Sequence, residues 1–284
     1  MAFPSCLRAG LLYHRGRREI KRRTRETPMT TLRVVRDDGV VTLTIDRPER
    51  RNAIDVPTWH VLAETLAEIA TRRDDRVVIL TGAGQSFCAG GDLSGADAEA
   101  GGPERARQTM RESVGAACLA LHTLPQPAIA AVEGTAAGAG ANLAFGCDLV
   151  VAASSARFGQ VFVHRGLSVD SGGSWLLPRL VGLHRAKELV LLGDWITAAD
   201  AHRIGLVNRV VDDGAALAEA GALARRLAGA APSALARSKR ALDAAFERSF
   251  AEALDDEADA IVECVGQPEF AEAMRRFLSR GRGR

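Results

Sequence analysis

The five cysteines of this chain, Cys6, Cys88, Cys118, Cys147 and Cys264, include no C-x-x-C and no paired spacing. That excludes a thiolate zinc motif and a disulfide framework, and it points to a reducing compartment. The cytoplasm is expected, with the mitochondrial matrix as the alternative if residues 1–28 are a transit peptide. No uninterrupted apolar run approaches the roughly 20 residues that a bilayer span requires, so no membrane span is expected. No strict internal repeat is visible either. At 284 residues, 47% hydrophobic and 25% charged, the composition excludes a disordered or fibrous chain and supplies one large core or two small ones. The net charge of +2 conceals an asymmetry. Residues 1–28 carry a balance of +6 and the rest of the chain −4. This basic stretch reads as a solvated extension with no part in the core, and Met29 would open a shorter chain. No DNA partner is expected.

From residue 32 onward the pattern becomes that of a folded α/β protein. Two β-branched runs flank Asp37-Asp38-Gly39, a hairpin signal. Asp55 is placed to N-cap a helix through about Arg73, with Leu62, Leu66 and Ile69 on one face. A buried strand over Val77 to Leu80 leads into "TGAGQSFCAGGDLSGAD". A helix over about 104–124 follows, then a strand over 128–132, a loop, a short helix over 138–145 and a strand over 148–152. Strands alternating with helices at this spacing predict a layered α/β core over 29–205. Residues 206–284 read as mainly helical, with apolar stripes at Phe250, Leu254, Ala258, Ile261 and Val265 and at Phe270, Met274 and Phe277. Such stripes require burial on the core or on another subunit.

"GTAAGAGANLAFG", residues 134–146, asks whether a dinucleotide is bound. Its Gly138 and Gly140 match two glycines of G-x-G-x-x-G, but Leu143 stands at the third, and no acid follows the next strand for a ribose hydroxyl. The Rossmann reading fails. What remains is a set of small residues that lets exposed N–H groups at a helix start approach a negative oxygen. "SFCAGGDL" makes the same offer from another strand end, and a pair of N–H groups aimed at one atom is how an oxyanion is stabilised. With "IDRPERRNAI", "ARFGQ", "GLSVDSGGSWLLPRLVG" and "ITAADAHRIGLVNRVV", these segments in this order resemble the crotonase (enoyl-CoA hydratase/isomerase) superfamily over roughly residues 32–280. The resemblance implies a spiral of ββα units, a C-terminal helical trimerisation region, an acyl-CoA thioester as substrate, a homotrimer or dimer of trimers, and no cofactor or metal beyond the coenzyme A of the substrate. It puts the oxyanion donors on the backbone N–H groups of Gly91 and Ala139. It puts substrate contacts on Arg50 and Arg51 near phosphates, on Ala53 beside the adenine, on Ala89, Gly90, Asp92 and Leu93, and on Gly138, Asn142 and Phe162. Arg50 and Arg51 also read as solvated loop charges, and Asp92 as the cap of the next turn.

The family pattern then breaks. The two glutamates of a hydratase of this family would fall on Asn142 and Phe162, and neither side chain can exchange a proton with a reacting carbon or position a water as a carboxylate would. One acid remains. Asp170, in "GLSVDSGGSW", lies where dienoyl-CoA isomerases, ring 1,2-epoxyphenylacetyl-CoA isomerases and 4-chlorobenzoyl-CoA dehalogenases carry a working aspartate. It also reads as an N-cap for the helix that Gly172 and Gly173 open. Apolar neighbours Phe162, Val163, Leu167 and Val169 would raise its pKa. A dehalogenase would need His and Trp partners that this sequence does not offer. The expectation is double-bond isomerisation of an unsaturated acyl-CoA with Asp170 as proton shuttle. Hydration by a non-standard acid set, or a catalytically silent protein that binds acyl-CoA or RNA, are the alternatives. Asp97 and Glu99 are candidates for a second acid. His122, His164, Cys88 and Glu133 read as structural.

Overall fold

Asp38 and Gly39, at φ of 44° and 80°, form the two-residue turn that a hairpin requires between β1 (Leu32–Asp37) and β2 (Val40–Ile45). This computed structural model describes residues 31–94 and 102–281; the basic segment 1–28 and the acids Asp97 and Glu99 lie outside the described residues. The main sheet runs β1, β2, β3 (Val77–Gly82), β4 (Ala128–Val132), β6 (Leu149–Ala153) and β9 (Arg209–Val211), and every pairing after the hairpin is parallel. Its central strands are apolar without alternation because both faces are covered. The remaining strands, β5 (Thr135–Ala137), β7 (Arg157–Gly159) and β8 (Trp195–Thr197), make a second, three-stranded sheet. Residues 135–137, expected as loop, are thus a strand. Three residues carry too little periodicity to be read from sequence.

Helix α1 (Val56–Thr71) is capped by Asp55, whose carboxylate accepts from Thr58 N at 3.0 Å. It buries Leu62, Leu66 and Ile69 against the sheet, each worth roughly 1.5–3 kcal/mol. The helix expected over 104–124 is interrupted. α2 (Gly102–Thr109) passes through a π turn at Met110–Val114 into α3 (Gly115–His122). α4 (Ala139–Phe145) is buried along its whole length. α5 (Gly173–Val181), α6 (Leu183–Leu192) and α7 (Ala198–Arg203) follow it.

The sheet continues past residue 205, since β9 is its sixth strand. Helix α8 (Ala216–Ala228) then covers the opposite face, where Ala216, Ala220, Leu223 and Ala224 pack on Val77, Ile79, Ile129 and Val151. Its N-terminus is held by Glu133, whose carboxylate accepts from Gly214 N and Ala216 N at 3.1 and 3.0 Å. Of the described helices after β9, α9 (Pro232–Asp243), α10 (Phe250–Val265) and α11 (Pro268–Gly281) contribute no buried residue to this core. The stripe of α10 stays open, with Phe250 81% and Ile261 64% exposed. No described helix is long and apolar enough to cross a membrane.

Candidate active site

Three separate segments are laid side by side at one end of the small sheet. Cys88 forms a parallel bridge with Ala136, its N–H donating to Thr135 O and its carbonyl accepting from Ala137 N at 3.0 and 2.9 Å. Because the bridge is parallel, the third residue beyond each partner, Gly91 and Ala139, leaves the pairing at the same end. Gly90, at φ 98°, turns the first segment there. Past it, Gly90 O accepts from Ile54 N and Asp92 N donates to Ile54 O, at 2.8 and 2.9 Å. Both neighbours of Gly91 are therefore bonded to Ile54, and the Gly91 N–H points to the other side. A Cβ built on Gly90 would stand 3.7 Å from the Ala139 nitrogen, so the two donor segments are in direct contact.

Ala139 is the first residue of α4, where a helix leaves its N–H groups without internal partners. Gly138 supplies the bend before it at φ 52°, ψ −121°, a conformation that a side chain disfavours. Its N–H is fixed on Gly159 O of β7 at 2.8 Å. Gly140 brings the helix start down on the first segment: a Cβ there would lie 2.7 Å from Cys88 Cβ and 2.8 Å from its sulfur. Among the described residues neither the Gly91 nor the Ala139 N–H has an acceptor. Cys88 itself is buried, and burial pushes its thiol up to about 12, so it fills space and is no nucleophile.

Asp170 reaches the same neighbourhood through Asn142, one turn into α4, whose Nδ2 donates to the Asp170 carbonyl at 2.8 Å. The aspartate does not cap α5. Gly172 is the N-cap residue, and no side chain bonds to the helix start. The Asp170 carboxylate instead accepts from Ser171 Oγ at 2.8 Å and is half-buried; burial raises its pKa and the Ser171 hydroxyl partly opposes that rise. The apolar wall is incomplete, since Phe162 is buried whereas Val163 and Leu167 are 45% and 47% exposed. Phe162 lies against Gly138, its ring 3.4 Å from where a Cβ would stand. Beside Ser171 a cavity of about 410 Å³ opens between α3, α4 and α5, lined by Cys118, Leu119, Asn142, Leu143, Ser171 and Trp175 among others. A larger cavity of about 600 Å³ shares His122, Trp175 and Glu247 with it, and neither cavity is lined by Gly91, Ala139 or Asp170 itself.

A family model described as enoyl-CoA hydratase/isomerase matches residues 36–283. The chain belongs to the enoyl-CoA hydratase/isomerase family. It is 40% identical over 247 residues to the 1,2-epoxyphenylacetyl-CoA isomerase of Escherichia coli, covering 86% of this chain and 94% of that protein. It is 35% identical over 252 residues to the short-chain-enoyl-CoA hydratase of Clostridium acetobutylicum, covering 86% and 93%. The crystal structure of an enoyl-CoA hydratase from Polaromonas sp. JS666 superimposes with a TM-score of 0.84 at 37% identity, covering 88% of this chain and 97% of that one. The crotonase-type fold and the helical C-terminal region expected from the motifs are thus present.

Within this member of the hydratase/isomerase family, the other expected site residues divide into two groups. Arg50 and Arg51 are exposed on the turn after Pro48 and form no ion pair among the described residues. Ala53, Ala89 and Leu93 lie on the segments joined by Ile54 and Gly91, with Leu93 53% exposed. Asp92, by contrast, is engaged inside the protein. It pairs with Arg47 at 2.9 Å and accepts from Ser94 N and Oγ, and these bonds hold its pKa at about 2. Asn142 likewise has both ends of its amide occupied by protein groups, as donor to Asp170 O and as acceptor from Gln160 Nε2, at 2.8 Å each. Both residues thus hold internal bonds to partners from distant segments.

Sequence reasoning missed two residues that hold the site together. Asn52 is fully buried at φ 57° and donates to Ala83 O and Ser86 O at 2.8 and 2.6 Å while accepting from Arg47 N. Arg47 donates to Ala53 O and pairs with Asp92. Together they clamp the Pro48 turn onto the loop that carries Gly91. The signal available was an Asn and an Arg, polar residues without loop neighbours to satisfy them, inside a motif read only for its charge.

Proposed function

We propose that the protein isomerises the double bond of an unsaturated acyl-CoA, with Asp170 as the proton shuttle and the N–H groups of Gly91 and Ala139 as the oxyanion hole. The observations that support this reading are a half-buried acid that caps nothing and is tied through its carbonyl to the helix that begins at Ala139, two N–H groups without acceptors among the described residues, and an Asn and a Phe at the positions where a hydratase of the family would carry its glutamates. The Asp170 carboxylate takes a proton from the γ-carbon, and the electron pair moves through the double bond onto the thioester oxygen as a dienolate. The same proton returns to the α-carbon, and the double bond ends between β and γ. The reverse reaction starts at the α-carbon. Each preorganised donor contributes roughly 2.7–4 kcal/mol to such a transition state. Protons and electrons balance within the substrate, so this reaction calls for no cofactor or metal beyond the coenzyme A that the substrate carries.

On this reading Arg50 and Arg51 face the phosphates of coenzyme A, Ala53, Ala89, Gly90 and Leu93 line its path, and the acyl group enters the cavity lined by Asn142 and Ser171. The open stripes of α10 and α11 support assembly as a homotrimer or dimer of trimers, and the cysteine usage supports a cytoplasmic location. Hydration by a site built on Asp170 is the second reading, favoured by relatives named as hydratases. Purified protein incubated with 2-enoyl-CoA, 3-enoyl-CoA and a cyclic enoyl-CoA decides between them. Migration of the double bond without uptake of water supports the isomerase; a 3-hydroxyacyl product overturns it.

A further inference from the structure

Behind Asp170 lies a buried polar chain that the proposed chemistry does not use directly. Gln160, 3% exposed, donates through Nε2 to Asn142 Oδ1, and Asn142, 1% exposed, donates through Nδ2 to the Asp170 carbonyl. The direction of this chain is forced. A carbonyl only accepts, so Asn142 must present Nδ2 to Asp170 and Oδ1 to Gln160, and Gln160 must answer with its amide nitrogen. The remaining atom, Gln160 Oε1, is then buried with no partner. An orphaned acceptor of this kind costs roughly 1–3 kcal/mol. The Asp170 carbonyl does not depend on the chain for satisfaction, because it also accepts from Gly173 N at 2.9 Å. The orphaned acceptor thus offsets what the two hydrogen bonds of the pair contribute, at a place where apolar side chains would also pack.

The pair does constrain position. Gly173 has no side chain where Asn142 comes closest; a Cβ there would lie 2.8 Å from Asn142 Cγ and 2.7 Å from Val169 Cγ2. α4 and the segment 169–173 are thus locked at one point, and the two ends of the lock are the helix that begins with the Ala139 donor and the loop that carries the acid. Ser171, the next residue after Asp170, holds φ 51°, a backbone that a non-glycine residue adopts only when its surroundings impose it.

We propose that Asn142 and Gln160 are positioning residues, which set the distance and angle between the Asp170 carboxylate and the Gly91–Ala139 donor pair by tying the Asp170 main chain to α4. The inference rests on the isomerase reading. The groups facing the carboxyl are the Ser171 hydroxyl and, from α3, the Cys118 thiol, whose own ionisation Asp170 opposes. Neither is altered by changing the pair.

The test is the double variant Asn142→Leu/Gln160→Met beside Asn142→Gln, assayed with the enoyl-CoA on which wild type is active. Misplacement of a catalytic group by about 1 Å costs on the order of 100-fold in turnover. The double variant is expected to lose 10- to 100-fold in kcat with KM little changed and with a melting temperature equal to or above that of wild type. Its acidic kcat–pH limb is expected to move to lower pH as the loosened loop admits water to the carboxylate. Asn142→Gln, which keeps both bonding ends, is expected to retain more turnover than the double variant. Unchanged kcat in the double variant overturns the proposal, and so does a fall in melting temperature that accounts for the lost activity. If instead Asp170→Asn keeps wild-type turnover, the isomerase reading itself has failed, and the two failures are distinguished.

Discussion

The two halves of the site are held in opposite ways. On the donor side, the atoms that would meet a developing negative charge belong to the main chain, and the parallel bridge of Cys88 with Ala136 and the close approach of Gly140 to Cys88 place them. On the side of the proposed acid, the atoms belong to a side chain on a loop, placed by hydrogen bonds through Ser171 and Asn142. A main-chain donor is removed only by proline, which has no N–H, or displaced by crowding. A side-chain acid can be removed cleanly, and its pKa can be tuned without moving the fold.

The largest expected effect follows from removing the acid. Asp170→Asn should lower kcat by about 10²–10⁴-fold, the usual contribution of a general acid/base, with acyl-CoA binding retained in a direct titration. Its effect on stability has the opposite sign. Because burial raises the folded pKa of Asp170 above the unfolded value of about 3.9, the folded state holds the proton more tightly. Stability is then lost as pH rises from about 4 through the raised value. The neutral Asn escapes that cost, so its melting temperature at pH 7 should exceed that of wild type. A melting temperature below wild type would remove burial as the cause of the raised pKa.

Crowding the donor side comes next. Gly140→Val should push the start of α4 off Cys88, lower kcat by roughly 10²–10³-fold as for a lost oxyanion donor, and leave the pH limb of Asp170 where it was. A shifted limb would mean that displacement of the helix start is passed through Asn142 to the loop of Asp170. Ser171→Gly removes the hydroxyl while suiting the φ of 51° at that position. With its hydrogen bond gone, the Asp170 pKa should rise further, so the acidic limb of kcat moves to higher pH; a limb moving down would contradict the bond. The smallest effect is expected from Asp92→Asn. Its carboxylate contributes stability above an unfolded pKa of about 4 and loses it as pH falls to about 2, so an acid titration of wild type and variant should converge near pH 2. At pH 7 the variant should be less stable by about 1 kcal/mol or less, the usual range for a screened ion pair.

Local chemistry was legible wherever neighbours in the chain decide the outcome. The Asp38-Gly39 turn, the Asp55 cap with the Leu62–Leu66–Ile69 face, and the absence of carboxylates at positions 142 and 162 were all readable from spacing and residue type. So were the two glycine loops that offer N–H groups. Less legible were partners contributed from far along the chain. Asn142, Asp92 and Asn52 each present polar groups that sequence alone leaves open to solvent, substrate or protein, and in each case one partner arrives from 28 or more residues away.

By itself, then, the amino-acid sequence determined the α/β class, the family, the lack of carboxylates at positions 142 and 162 and the small residues around the two glycine loops, because these depend on periodicity and on chemistry carried by single positions. Only the tertiary structure decided that Gly91 and Ala139 emerge at one end of a shared pairing, that Gly172 and not Asp170 caps α5, that β9 and α8 belong to the core, and that the stripe of α10 finds no cover within the described chain. The physical reason is the same for all four. Each depends on where chain closure brings a second segment, and a hydrogen-bonding or apolar group does not declare its partner until that segment has arrived.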